Sequence, residues 1–222
     1  MPYTYQYPHP AVATDVVLFT IHEERLELLL IRRGAEPYKG LWALPGGFIN
    51  IDEDLIDCAK RELEEETGVT GVYLEQLYTF GTPGRDPRER VISVTYYALV
   101  PRERLTIRAA SDAEAVAWFP FNALPPLAFD HDQVVALAHE RLSAKLEYST
   151  IALQFMPERF TLTQLQSVYE VVLGRKLDKR NFRRRILALA CIEDAGERRR
   201  QVNHRPARLY QVKSPGRVEF IK

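Results

Sequence analysis

Between Gly47 and Val69 the chain concentrates its acids: Glu53, then Arg61-Glu62-Leu63-Glu64-Glu65-Glu66-Thr67-Gly68. On a helix, at about 100° per residue, Glu65 and Glu66 fall about 60° to one side and 40° to the other of Glu62. Three carboxylates then share one face while Glu64 points away, and such a face must meet cations. Hard oxygen ligands suit Mg²⁺ or Mn²⁺, which bridge to phosphate oxygens rather than being caged by protein alone. Arg61 can orient one carboxylate by a forked pair, and the Gly46-Gly47 turn lets backbone come close.

A second set of residues lies near the other end. In a helix over residues 179–189, Phe182, Ile186 and Leu189 share one face, and Arg180, Arg183 and Arg184 project within about 80° of the opposite one. A basic helix that follows another across a short turn suits a DNA major groove, with Lys179, Arg180 and Asn181 at the end where base edges are met. Asn can read adenine and Arg guanine. Arg198, Arg199 and Arg200 would form a phosphate-contacting wing, with Arg205 and Arg208 as further candidates. The alternative is a small α/β module whose solvated basic face docks on an acidic partner. Leu187 falls on the outward side, so either the wing packs on it or the helical frame is slightly off.

A third set, Arg85, Arg88 and Arg90, sits on a Gly/Pro loop before a strand, where an anionic substrate could meet it. These arginines could equally be surface charges. His131 either serves this site or simply begins a helix, and Trp42 is core or a base-stacking platform.

The elements that must carry these residues follow from pattern. Strands are expected at 12–21, 26–31, 72–80, 91–100 and 115–119, the first two joined as a hairpin across His22-Glu23-Glu24-Arg25. Helices are expected over 54–67, with Gly68 as stop, and over 131–145. From Phe160 the pattern changes. Thr161 and Gln164 form a capping box, and Phe160 with Leu165 a hydrophobic staple, opening a helix that stops at Gly174. Asp178 then caps the basic helix. Ile192 and 207–212 read as a strand pair around an Arg-rich excursion, 196–206, with the terminus trailing off.

Formal net charge is zero over 222 residues, yet residues 1–150 carry 14 Lys+Arg against 23 Asp+Glu, and residues 151–222 carry 16 against 7. A reversal from −9 to +9 points to two units with different partners, a domain of residues 1–148 and another of 149–222. The most apolar stretch, Val16 to Ile21, is far short of the roughly 20 residues of a membrane span, so no membrane partner is expected. Two cysteines, Cys58 and Cys191, indicate neither a disulfide framework nor a zinc site, and a cytoplasmic location is the default expectation.

The full spacing, Gly47, five residues, Glu53, seven residues, then Arg-Glu-apolar-any-Glu-Glu-any-Gly-apolar to Val69, resembles the Nudix box in every specified position. A solvated helix face is what most glutamate runs are, but it fits this pattern poorly. The resemblance implies α/β architecture of the Nudix type, a mixed sheet between helices, and cleavage of a nucleoside diphosphate linked to another moiety. It implies Glu62 and Glu66 as principal Mg²⁺ (or Mn²⁺) ligands, Glu65 as a further ligand or base, Glu53 in support and Arg61 as orienter. The general base stays open. Asp112 and Glu114 are acids near a suitable place, though a polar turn accounts for them as well. The arginine loop, Trp118-Phe119-Pro120 and Ala128-Phe129-Asp130-His131 look like the ADP-ribose branch of the superfamily.

With the C-terminal segments Glu158 to Gln166, Gly174 to Arg185 and Arg205 to Tyr210, nearly the whole chain resembles the Nudix-related transcriptional regulators, NrtR. That resemblance implies a winged helix-turn-helix domain, double-stranded DNA as partner, a homodimer, and a Nudix domain that senses ADP-ribose or a sugar-derived ligand. With its box intact, the sensor could also hydrolyse what it binds. Two alternatives remain at this point: an ADP-ribose pyrophosphatase with an accessory domain, and a non-catalytic sensor of a different ligand.

Overall fold

The computed structural model describes residues 5–102, 113–201 and 204–221, with the backbone alone at 113–114, 198–201 and 204–206. The first strands, β1 (Ala11–His22) and β2 (Arg25–Arg33), form the expected hairpin. Its two turn residues, Glu23 and Glu24, both have positive φ (48° and 57°), the backbone of a type I′ turn whose twist suits a two-residue hairpin. There follow β3 (Trp42–Ala43), β4 (Gly46–Phe48), α1 (Leu55–Thr67), β5 (Tyr73–Phe80), β6 (Val91–Leu99), β7 (Ala113–Pro120) and α2 (His131–Tyr148).

The sheet runs β3-β2-β1-β6-β5, with β4 also paired to β1 and β7 to β2. Val16 to Phe19 and Leu28 to Leu30 are all fully buried. Successive strand residues point to opposite faces, so both faces of the sheet are covered, as a mixed sheet between helices requires.

A short antiparallel pairing places the glycine turn. β4 lies on β1 with Thr14 opposite Gly47 and Asp15 opposite Gly46. A Cβ at Gly46 would run into the Thr14 carbonyl oxygen, so this approach is open only to glycine. Helix α1 then starts on Asp54, whose carboxylate accepts from the Ile56 amide at 3.1 Å. It ends at Gly68 (φ 72°), whose N–H donates to the Glu64 carbonyl at 2.8 Å. Cys58, Ala59 and Leu63 are buried and make its inner face.

By compactness the chain divides into Met1–Phe19, Leu28–Ala98 and Thr106–Ala138 on one hand, and Thr20–Glu27, Leu99–Leu105 and His139–Lys222 on the other. In the second unit α3 (Leu162–Leu173) opens with the capping box, Thr161 accepting from the Gln164 amide at 3.2 Å and donating its own amide to Gln164 Oε1 at 2.8 Å. The staple residues Phe160 and Leu165 are fully buried. Gly174 (φ 63°) ends α3, and Glu170 fixes the turn by accepting from the Leu177 amide, Gln166 Nε2 and Lys176 Nζ at 2.8 to 2.9 Å. Asp178 caps α4 (Lys179–Ala188), which packs on α3 through an edge-on contact of Phe182 with Tyr169, 5.2 Å between centroids.

The wing corrects the expected excursion. β8 (Ile192–Gln201) and β9 (His204–Val212) pair almost to the tip, Gln201 opposite His204, with a register shift where Gly196 takes φ 74°. An exposed two-stranded ribbon needs no apolar alternation, so an arginine run does not end it. Nor does the terminus trail off: the Thr150 amide donates to Glu219 O at 2.9 Å and the Ile221 amide to Tyr148 O at 2.7 Å.

Candidate functional site

Arg61 organises the acids of α1. Its Nε and Nη2 fork onto the two oxygens of Glu53 at 2.7 and 2.8 Å, while Nη1 reaches Glu62 at 2.7 Å and Glu65 at 3.1 Å. The Arg61 fork, with the Asn50 amide at 3.1 Å, holds the Glu53 carboxyl down at about 2. Glu66 lies deeper. Its Oε2 accepts from the Gly46 amide at 2.9 Å, yet burial, with the charges of Glu62 and Asp15 added, pushes its pKa up to about 8. Burial also raises Glu62, against the opposing pull of Arg61. The Glu62 carboxylate lies directly over Gly47, where a Cβ would displace it.

Glu62 and Glu66 are thus neighbouring acids whose anionic forms are disfavoured, an arrangement a bound cation would relieve. Among the described residues no three His, Cys, Asp or Glu side chains form a group that could hold a metal ion alone. Such a pair suits a hard cation that takes its remaining oxygens from water and substrate. Glu65 sits on the rim, half-exposed and turned toward Arg61.

Beside these acids opens a cleft lined by Asp15, Arg33, Gly46, Gly47, Phe48, Arg85, Asp86, Arg88, Phe129 and His131. The three loop arginines take different positions. Arg85 is almost fully buried, forked onto Asp130 at 2.6 and 3.0 Å and 3.7 Å from Asp15, so its charge is matched internally. Arg88 forks onto Asp86 and stands 5.2 Å from the Phe48 ring centre and 5.8 Å from that of Phe129. Arg90 is not among the lining residues and bonds the Val91 carbonyl at 3.4 Å.

Sequence reasoning missed Arg33. It stacks 4.8 Å from Phe129, and its hydrogen bonds go to the carbonyls of Pro37 and Ala35. Burial and the neighbouring Arg88 lower its pKa, against the opposing pull of Glu66, Asp86 and Asp15. Asp15 was missed too, although a lone acid in an apolar strand is a signal. It accepts from Ser93 Oγ at 2.5 Å and lies 3.5 Å from His131 Nε2. His131 is buried, and its Nδ1 accepts from the Leu44 amide at 3.0 Å, which assigns its proton to Nε2. Burial lowers its pKa, so it is a neutral strut between Asp15 and the glycine turn. Trp42, half-buried, packs edge-on against Phe119 at 4.7 Å. Asp112 and the Glu114 side chain lie outside the described residues.

In the second unit Lys179, Arg180, Asn181, Arg183 and Arg184 are all exposed on α4, while Phe182 and Ile186 are buried. Leu187 is 50% exposed, on the outward side of the helix as its frame places it. Arg208 pairs with Asp194 at 3.2 Å. The side chains of Arg198, Arg199, Arg200 and Arg205 lie outside the described residues.

A family model described as the NUDIX domain matches residues 9–138, and one described as the NrtR DNA-binding winged helix domain matches residues 152–212. A relative from Acinetobacter baylyi, the ADPR responsive transcriptional repressor NtrR, is 38% identical over 209 residues, 92% of this chain and 83% of its own length. The chain belongs to the NrtR family of Nudix-domain regulators. The crystal structure of Shewanella oneidensis NrtR complexed with a 27mer DNA superposes with a TM-score of 0.82 at 41% identity, covering 91% of this chain and 93% of that one. Within the NrtR frame the Nudix part is also 40% identical over 129 residues to an ADP-ribose pyrophosphatase of Methanocaldococcus jannaschii, 58% of this chain and 73% of that protein. The region matched by the NrtR winged helix contains α3, α4, β8 and β9.

Proposed function

We propose that this NrtR-family chain is a DNA-binding transcriptional repressor whose affinity for its operator is set by ADP-ribose, or a closely related nucleoside diphosphate derivative, held in the Nudix cleft. The reading is carried by the cleft itself: Arg33, whose hydrogen bonds among the described residues go to backbone carbonyls, stands near Arg88 and the buried acid Glu66. A diphosphate would supply an anion to the Arg33 guanidinium. Phe48 and Phe129 offer apolar faces to base or ribose. α4 then presents Lys179, Arg180, Asn181, Arg183 and Arg184 to a major groove, with Arg198, Arg199 and Arg200 of the wing on phosphates. A homodimer would match two half-sites.

Glu62 and Glu66 would hold Mg²⁺ or Mn²⁺, with Glu65 beside them and Glu53 acting through Arg61. When bound, the metal supplies neutralisation of the pyrophosphate and an activated water. Glycines 46 and 47 let the ligand's phosphates approach backbone, and Arg61 holds the acids in order. Hydrolysis to AMP and ribose 5-phosphate is a second activity of the same site, favoured by the intact run from Gly47 to Val69.

The test is selection of duplexes from a randomised pool by the full chain, followed by anisotropy on the selected duplex with and without ADP-ribose. A salt-sensitive complex weakened by ADP-ribose is expected. Failure to select any duplex, or an affinity that ADP-ribose leaves unchanged, overturns the reading. For hydrolysis, AMP release with Mg²⁺ should vanish in Glu66→Gln. An inert wild type that still binds ADP-ribose makes the acids a sensor only.

A further inference from the structure

Four arginines lie close together on α4, and sequence position alone treats them alike. The structure separates one. Arg183, Arg184 and Arg185 are all exposed, but their partners differ, Arg184 donating to its neighbour Asn181 at 3.1 Å. Arg185 instead directs Nη2 at the end of α2, donating to the Glu147 carbonyl at 2.6 Å and lying 3.3 Å from that of Leu146. The last four carbonyls of a helix have no partner within it, and they carry the negative end of its dipole. A guanidinium there satisfies an orphan acceptor and adds a favourable charge.

The same end of α2 is held from the other side of the sequence. Ile221 donates to Tyr148 O at 2.7 Å, Glu219 and Thr150 exchange hydrogen bonds at 2.9 Å, and Ser149 Oγ donates to Lys145 O at 2.7 Å. The end of α2 is therefore well ordered, and Arg185 ties the basic helix to it. α2 is one uninterrupted helix, and its first residue is His131, the strut of the cleft.

Resting on the function proposed above, we propose that Arg185 is a positioning residue: it does not touch DNA but fixes α4 to the C-terminus of α2, the helix that begins in the ligand cleft. Two consequences distinguish this from a phosphate contact. Removing a phosphate-contacting cation lowers the salt dependence of binding, because fewer counterions are released. Removing a positioning residue weakens binding at unchanged salt dependence. It also loosens α4 from α2, so that the effect of ADP-ribose on DNA affinity shrinks while ADP-ribose binding stays the same.

The experiment uses the full chain and the duplex that the wild type selects from a randomised pool. DNA affinity is titrated against KCl, with and without ADP-ribose, for wild type, Arg185→Ala, Arg185→Lys and Arg183→Ala, and ADP-ribose affinity is measured by calorimetry. Arg185→Ala should bind about tenfold more weakly. Its log K against log salt slope should equal that of the wild type, and its ADP-ribose response should be reduced. Arg185→Lys, which keeps a donor and a charge, should recover part of both. Arg183→Ala should lower the slope by about 1. If Arg185→Ala does not fold, Arg185→Lys carries the comparison, with a smaller loss at the wild-type slope. A lowered slope in the Arg185 variants, or an unchanged affinity, overturns the assignment. A wild type that selects no duplex overturns the proposed function instead.

Discussion

Gly46 donates its backbone N–H to Oε2 of Glu66 across 2.9 Å, and this bond joins the glycine turn to the helix that carries the acids. Position in the turn and position on the helix are thereby one variable. A Cβ on the next residue, Gly47, would occupy the space of the Glu62 carboxylate.

Gly47→Ala should therefore displace Glu62 while leaving the fold. The carboxylate is the end of a flexible side chain, so urea unfolding should change by no more than about 1–2 kcal/mol. Mg²⁺-dependent AMP release from ADP-ribose, where the wild type shows it, should fall about a hundredfold, because misplacement by an ångström is enough for that. Retained turnover would mean that Glu62 works from elsewhere.

Arg33 and Arg90 should behave differently although both are arginines at strand ends. Arg33→Ala removes the cleft cation whose hydrogen bonds go only to carbonyls, and ADP-ribose should bind about tenfold more weakly by calorimetry. Arg90→Ala, outside the lining, should leave the affinity within error.

Arg85 is a matter of stability. Its side chain is 5% exposed between Asp130 and Asp15. Arg85→Ala leaves the largely buried Asp130 without its forked partner and removes a cation beside Asp15, and should cost about 3–5 kcal/mol in urea unfolding. The double variant Arg85→Met with Asp130→Leu should lose less than Arg85→Ala alone, because the stranded Asp130 charge goes with its partner.

Glu170 should make the second unit sensitive to acid. Its three hydrogen bonds, the Leu177 amide foremost, hold its carboxyl at about 2, below the ordinary 4.5. As pH falls the unfolded chain takes up this proton first, so the stabilisation present above 4.5 is lost as pH approaches 2. Wild type should lead Glu170→Gln in urea midpoint at pH 6, and the difference should narrow across that window. A constant difference would show that the Glu170 charge contributes nothing.

What could be read without coordinates was what short-range chemistry marks. Asp54 and Gly68 bracket α1, and Thr161, Gln164, Asp178 and Gly174 bracket α3 and α4, since caps act within a turn. The acids of α1 were legible for the same reason, because helical spacing alone puts Glu62, Glu65 and Glu66 together. β3 and β4, of two and three residues, were not legible, because their partners β2 and β1 are distant in sequence and so few residues show no period. Arg33 and Asp15 escaped because each is a single charge at a strand, given meaning only by what the sheet brings beside it. The arginines of β8 read as loop because a two-stranded ribbon buries too little to impose alternation.

Arg85 is the cation that faces two acids, Asp130 at 2.6 Å and Asp15 at 3.7 Å, and both are far from it in sequence. In descendants of this chain Arg88 can change together with a partner two residues away, Asp86, while a change at Arg85 calls for one at Asp130, distant in sequence. Preference for a ligand can thus diverge within the family along one stretch of chain without disturbing the architecture that presents it.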